Sequence, residues 1–245
     1  MMKRLSAIVI VFFVVLTALP VSAFTPDDDE LTGSLKKQYG PMRSWEAEMS
    51  FPNYSGVNVH VWYARGKWRQ EWQAGDTASA VGIGGNVTGA CTAGQFALSP
   101  LFVWMPPNPL DIWKSWGVAV DMRNYGFCGN QPCFLIGAEP GDDASPAVQL
   151  NNEDLTPLLV RYETSAGLTS VEFFNHKTVA GYSVPQKLVV TVGEASLEVT
   201  VKWIAVNGAD SEELYVKESL SPIPCAEPPA PFDFLRNSFR YPSSQ

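Results

Sequence analysis

Histidine is nearly absent from this 245-residue chain, which holds only His60 and His176, and positive charge is scarce, with 17 Lys and Arg against 25 Asp and Glu. The shortage of cations excludes nucleic acid as a partner, because phosphate backbones are held by Lys/Arg surfaces. It also disfavours docking on anionic headgroups through net charge. With two histidines and no CxxC pair, no metal is expected, and haem attachment is excluded by the lack of CxxCH. There is no Gly-x-Ser-x-Gly elbow and no His-Glu-x-x-His helix, and no cofactor is expected. The glycines around Gly84-Gly85-Asn86 lack the Gly-Lys-Ser/Thr that a phosphate loop needs.

Long apolar runs are equally scarce. The one present, Leu5 to Leu19, follows Lys3 and Arg4 and precedes the small residues Val21-Ser22-Ala23. It is shorter than the ~20 residues of a membrane span, and Asp27-Asp28-Asp29-Glu30 follow closely, so residues 1–23 read as a secretory signal cleaved after Ala23. Removing Lys3 and Arg4 takes the formal charge from −8 to −10. The expected location is the periplasm, with residues 24–220 as one β domain and 221–245 as a proline-rich C-terminal tail. The expected oligomeric state is a monomer.

Four cysteines, Cys91, Cys128, Cys133 and Cys225, suit disulfides in an oxidising compartment. Three pairings are possible. The turn-forming Gly-Asn-Gln-Pro between Cys128 and Cys133 favours that pair, which leaves Cys91 with Cys225.

Leu31, Leu35, Tyr39 and Met42 recur at helical spacing, which predicts a short helix over Leu31 to Trp45 despite Gly40-Pro41. The period then changes to two. In Val57 to Tyr63 the valines and Tyr63 share one face, while Asn58, His60 and Trp62 share the other. Trp68, Gln70 and Trp72 alternate with Arg69 and Glu71 beyond the turn Arg65-Gly66-Lys67, so the two runs form a hairpin. Residues 80–91 suggest a twisted strand pair. Pro106-Pro107-Asn108-Pro109 opens a second helix carrying Leu110, Ile112, Trp113 and Trp116 and stopped by Gly117. Four further strands form a meander from Leu158 to Val206. About ten strands and two helices, with no helix between successive strands, predict a mainly β fold: a strongly curved antiparallel sheet, an incomplete β-barrel, with the N-terminal helix and the short central helix as plug or lid.

Catalytic candidates are sparse. His60 lies mid-strand and His176 in a turn, and the pairs Asp142-Asp143 and Glu212-Glu213 fall in solvated segments rather than an apolar pocket that would tune a carboxyl group. The sequence therefore reads as non-enzymatic, a hydrolase with scattered groups being the weakest alternative. Aromatic supply is large, with eight Trp, thirteen Phe and eight Tyr. Two short helices leave part of a curved apolar face uncovered, and an acyl chain gaining ~0.8 kcal/mol per buried CH2 could fill the remainder.

The order of elements resembles that of the periplasmic lipoprotein-carrier family, the LolA/LolB-like outer-membrane lipoprotein-sorting proteins. The segments that carry the resemblance are Val61-Trp62-Tyr63-Ala64-Arg65-Gly66-Lys67-Trp68-Arg69, Asn108-Pro109-Leu110, and Tyr162 to Leu188 with Gly167, Val171-Glu172-Phe173, Gly181 and Pro185. It implies a half-barrel whose apolar hollow takes acyl chains of lipoproteins or other lipids, with Arg65 in the place of a turn arginine that helps control the lid. Gly66 stands where that family usually has proline, and residues 80–91 replace its Asp-Gly hairpin. The expected function is a non-enzymatic lipid or lipoprotein carrier. The alternative is an interaction or envelope-stress sensor module with envelope membrane-protein partners. Strand parity nominates Val59, Val61, Tyr63, Trp68, Trp72, Trp113, Trp116, Val171, Phe173, Val199, Val201 and Trp203 as lining residues.

Overall fold

A computed structural model describes residues 25–84, 86–90, 98–164, 167–208 and 211–220. The proposed leader, the C-terminal tail, Cys91 and Cys225 lie outside the described residues.

Among the described residues there are fourteen strands, twelve of them in one antiparallel sheet. In chain order these are β1 (Ser44–Ser50), β2 (Asn58–Ala64), β3 (Lys67–Ala74), β4 (Asp76–Ile83), β5 (Asn86–Ala90), β6 (Arg123–Cys128), β7 (Gln131–Ile136), β8 (Ala147–Asn151), β9 (Pro157–Thr164), β10 (Gly167–Phe174), β11 (Lys177–Val179), β12 (Tyr182–Val184), β13 (Lys187–Val192) and β14 (Ala195–Val206). The sheet runs β5-β4-β3-β2-β1-β14-β13-β10-β9-β8-β7-β6, and β11-β12 form a separate hairpin. Its edges, β5 and β6, follow one another in the sequence without pairing, so the sheet is an unclosed half-barrel.

Two helices, α1 (Asp28–Tyr39) and α2 (Pro109–Ser115), and a 3-10 turn, Pro100–Val103, cover the concave face. The reach of α1 requires that face to curl. Twelve residues at about 1.5 Å each give a helix of about 18 Å. Yet the start of α1 is bonded to Arg123 of β6, while its end borders a cavity that Tyr63 of β2 also lines. Those strands lie eight positions apart in the sheet, about 38 Å if it were flat.

Strand alternation follows the two-residue period. Trp45, Ala47 and Met49 of β1, Val59 and Val61 of β2, and Trp68, Gln70 and Trp72 of β3 are buried, and the residues between them are not. On β14 the alternation of Leu197, Val199, Val201 and Trp203 breaks at Ile204 for a reason no periodicity reveals. Glu46 pairs with Ala205 and Ala47 with Trp203, so Ile204 is the extra residue of a β-bulge and stands 45% exposed.

The first helix ends earlier than its apolar spacing predicts. It stops at Tyr39, and Trp45 belongs to β1, because Pro41 has no N–H with which to continue the ladder. Four strands beyond the expected ten come from weakly patterned segments, among them β6-β7 and β8. Cys128 and Cys133 are joined by a disulfide across the β6-β7 turn, with Cα atoms 5.7 Å apart.

Candidate functional site

The roof over the concave face is built from α1 and from Ser99 to Trp116. Asp27 caps α1, its carboxylate accepting a 2.9 Å hydrogen bond from the Glu30 amide. Acidic residues fill the first turn and Lys36 and Lys37 the last, in the sense the helix dipole favours. Leu31, Leu35 and Tyr39 point into the core.

Both ends of α1 are fastened by polar contacts. At the N-terminal end Arg123 donates to the Pro26 carbonyl at 2.7 Å and pairs with Asp28. At the C-terminal end the Tyr39 and Thr156 hydroxyls lie 2.9 Å apart in a buried hydrogen bond. Burial raises the Tyr39 phenol well above its ordinary value, so it stays neutral, and either hydroxyl of the pair can donate.

The second roof segment is held from below. Gln70, fully buried between Trp68 and Trp72, accepts a 2.7 Å hydrogen bond from the Ser99 amide. The Ser99 hydroxyl accepts from the Leu101 amide and lies 3.3 Å from Met49 Sδ. Leu101, Phe102, Val103 and Trp104 are all buried. In α2, Pro109 occupies the first turn behind Asn108, which adopts φ +49°, and Trp113 is fully buried.

Where α1 meets the Met105–Pro109 stretch, the roof leaves a half-enclosed cavity of about 160 Å3. Leu35, Tyr39, Met42, Trp45, Tyr63, Trp104, Met105 and three prolines frame it, together with Lys36, Gly40 and Asn108, and the surface it presents is polar and apolar in about equal measure. The floor is an aromatic cluster. Trp45 stacks on Tyr63 at 5.3 Å and meets Trp203 edge-on at 5.6 Å, while Trp104 contacts Trp203 at 5.4 Å and Tyr39 at 5.6 Å. The Trp104 indole N–H is buried without a hydrogen-bond partner. A buried donor left unpaired costs roughly 1–3 kcal/mol, so an acceptor brought into contact with it would be favoured.

Of the twelve residues expected to line a hollow, Tyr63 borders this cavity. Val59, Val61, Trp68, Trp72, Trp113, Trp116, Val171, Phe173, Val199 and Val201 are buried in the core, and Trp203 packs half-buried against it. The lining residues that parity did not nominate are Leu35, Tyr39, Met42, Trp45, Trp104 and Met105. The signal that could have found them is the abrupt proline run after Trp104-Met105, which forces the chain away from the aromatic floor.

Arg65 lies elsewhere. It occupies the β2-β3 turn at φ +50°, followed by Gly66 at +88°, and borders a separate cleft with Arg43, Lys67 and Glu212. Of the polar residues screened for chemistry, most are engaged within the fold, while His176 Nε2 is buried without a hydrogen-bond partner. His60 Nε2 is 2.8 Å from Glu46, and its ring stacks on Trp62 at 3.7 Å. Burial pushes the His176 imidazole down from its usual value, against an opposing pull from Asp154. The Asp142 carboxylate caps its own loop by accepting from the Ala144 and Ser145 amides. Asp143 lies 3.5 Å from Arg161, whose guanidinium also donates to the Ser145 and Asp142 carbonyls.

No protein-family model matches this chain, and no curated protein does. Among solved structures it is similar to a LolA superfamily protein of Nitrosomonas europaea at 8% identity and TM-score 0.49, over 80% of this chain and 100% of that one. It is also similar to a DUF1329 family protein of Desulfovibrio piger, at 13% identity and TM-score 0.43 over 80% and 100% of the two chains. An outer-membrane lipoprotein-sorting protein domain of Vibrio parahaemolyticus follows at 12% identity and TM-score 0.40, over 75% and 94%. The first and last of these belong to the family that the sequence resembles. Likeness this distant carries nothing about ligand or partner.

Proposed function

We propose that this protein is an exported, periplasmic, non-enzymatic carrier that takes acyl chains of lipoproteins or other lipids beneath its helical roof. The observation that supports this reading is the half-enclosed cavity, framed largely by apolar and aromatic side chains, at the seam between α1 and Met105–Pro109. Ordinary ligand pockets run to ~300–1,000 Å3, so the seam at about 160 Å3 accommodates only the end of a chain. Lodging the rest requires the roof to yield. The element suited to yield is α1, whose polar fastenings sit at its two ends. Lifting α1 breaks these contacts and uncovers Leu31, Leu35 and Tyr39 at ~1.5–3 kcal/mol for each buried side chain, so at ~0.8 kcal/mol per buried methylene a chain on the order of ten carbons is needed to offset it.

The test is titration of delipidated, natively exported protein with a fluorescent long-chain fatty acid and a triacylated peptide. Saturable binding is expected, with quenching of tryptophan fluorescence because Trp45 and Trp104 line the seam and Trp203 packs against both. Absence of saturable binding at micromolar protein overturns the carrier reading. Mass spectrometry of lipids co-purifying with the protein identifies the natural cargo.

A further inference from the structure

The cleft that holds Arg65 lies beside the seam cavity and differs from it in kind. It measures about 620 Å3 and is lined by Pro41, Arg43 and Ser44 at the start of β1, Ala64, Arg65 and Lys67 at the β2-β3 turn, Asn207 and Gly208 after β14, and Glu212 and Tyr215. Three cations therefore converge in a chain whose formal charge is −8. Glu212 pairs with Lys67, which leaves two positive charges in excess among the described residues lining the cleft. The hydrogen bond and charge of Lys67, with a lesser pull from Arg65, hold the Glu212 carboxyl below its usual range.

The backbone fixes where these cations stand. Arg65 is held at φ +50°, in the left-handed region that two-residue hairpin turns require and that asparagine, aspartate or glycine normally fill. An arginine there is disfavoured by its Cβ, a strain it shares with Leu155 and Ala180, and the turn fixes the position from which its side chain reaches the cleft. The opposite wall is braced as well. Asn207, also left-handed at φ +54°, accepts from the Arg43 amide at 2.7 Å and donates to the Pro41 carbonyl at 3.0 Å, which fixes the strand end that carries Arg43.

We infer that the Arg43–Arg65–Lys67 cleft is a binding site for a phosphate-bearing group, with a phosphomonoester dianion preferred over a diester. Guanidinium groups match phosphate oxygens in a bidentate fork, and two excess positive charges match the −1.5 to −2 of a monoester near neutral pH. The cleft would bind phosphate whether or not the seam cavity takes an acyl chain. Its neighbourhood to that cavity makes a lipid headgroup one source of the phosphate and a soluble phosphorylated metabolite the other.

Calorimetric titration of the full exported chain with inorganic phosphate and glycerol 3-phosphate reads the free source. Co-sedimentation with phosphatidylcholine vesicles, with and without phosphatidic acid, reads the lipid source. The expected result is saturable phosphate binding, weakened about tenfold or more in Arg65→Asn and tightened severalfold in Glu212→Gln. Asparagine suits the left-handed turn, so Arg65→Asn should also raise Tm by about 2–4 °C while losing the ligand. Binding of the vesicles that depends on phosphatidic acid and is displaced by glycerol 3-phosphate assigns the site to a headgroup. Glycerol 3-phosphate binding without vesicle binding assigns it to a soluble ligand. No binding of either, or unchanged affinity in both variants, overturns the phosphate site and leaves the acyl-carrier reading to its own titration.

Discussion

The two pieces of roof, α1 and the Ser99–Trp104 segment, lie on the same concave face but are held in opposite ways. The second is anchored through its middle, with the Ser99 amide bonded to fully buried Gln70 and four consecutive side chains sunk in the core. The first presents three apolar side chains and is otherwise fastened at its ends, to Arg123 and to Thr156. Both pieces sink side chains in the core, α1 through Leu31, Leu35 and Tyr39, but the second adds a buried polar anchor at Ser99 and buries four residues in succession, so α1 is the easier of the two to lift. This difference assigns the fixed floor of the seam cavity to Trp104 and the moving wall to α1.

The comparison breaks most sharply at Gln70. Gln70→Ala leaves the Ser99 amide buried without that acceptor and opens a void between two tryptophans, with an expected loss of about 3 kcal/mol seen as a lower urea midpoint. If the loss proves negligible, the segment is not centrally anchored. Thr156→Val is the smaller counterpart. It removes the partner of the Tyr39 hydroxyl at nearly constant volume, and about 1 kcal/mol should go, concentrated in α1. Hydrogen exchange should accelerate at Leu35 to Tyr39 and stay unchanged at Leu101 to Trp104. Equal acceleration in both would erase the distinction between lid and floor.

The smallest expected effect is that of pH. The half-buried His176 ring sits near Asp154 and Pro157, next to the Thr156 latch, and its folded-state pKa lies below the ordinary 6.5. The unfolded chain therefore takes up that proton first. Stability from this group is present in full above 6.5 and is lost as pH falls below it. Thermal scans should show a slight decrease across that interval, absent in His176→Gln, and exchange at the C-terminal end of α1 should follow the same profile.

How much of this was legible in the sequence varies by element. The β2-β3 hairpin was readable because Val59, Val61, Trp68 and Trp72 alternate cleanly with polar residues. The β6-β7 hairpin was not, since Phe127 is 75% exposed, Tyr125 is 42% exposed and Gly126 and Pro132 dilute the pattern. β6 is partly exposed on both faces, whereas β7 buries Cys133 to Ile136 in succession, so neither strand shows a two-residue period. The seam cavity was only partly legible. Parity placed Tyr63 on the correct face but could not single out Trp45 and Trp104 from the other indoles, because their meeting depends on chain reversals dozens of residues long.

The sequence by itself determined that the chain would form an antiparallel, one-sidedly apolar sheet with two short helices to cover it. Those outcomes rest on local periods, prolines and glycines, which act between near neighbours. Only the tertiary structure decided which tryptophans would frame a cavity and that Arg43, Arg65 and Lys67 would gather in one cleft of an acidic protein. Such meetings depend on how far twelve strands curl, and curl is a property of the summed twist and of register shifts such as those at Ile204, Val81-Gly82 and Gln149-Leu150, with no counterpart in any short stretch of residues.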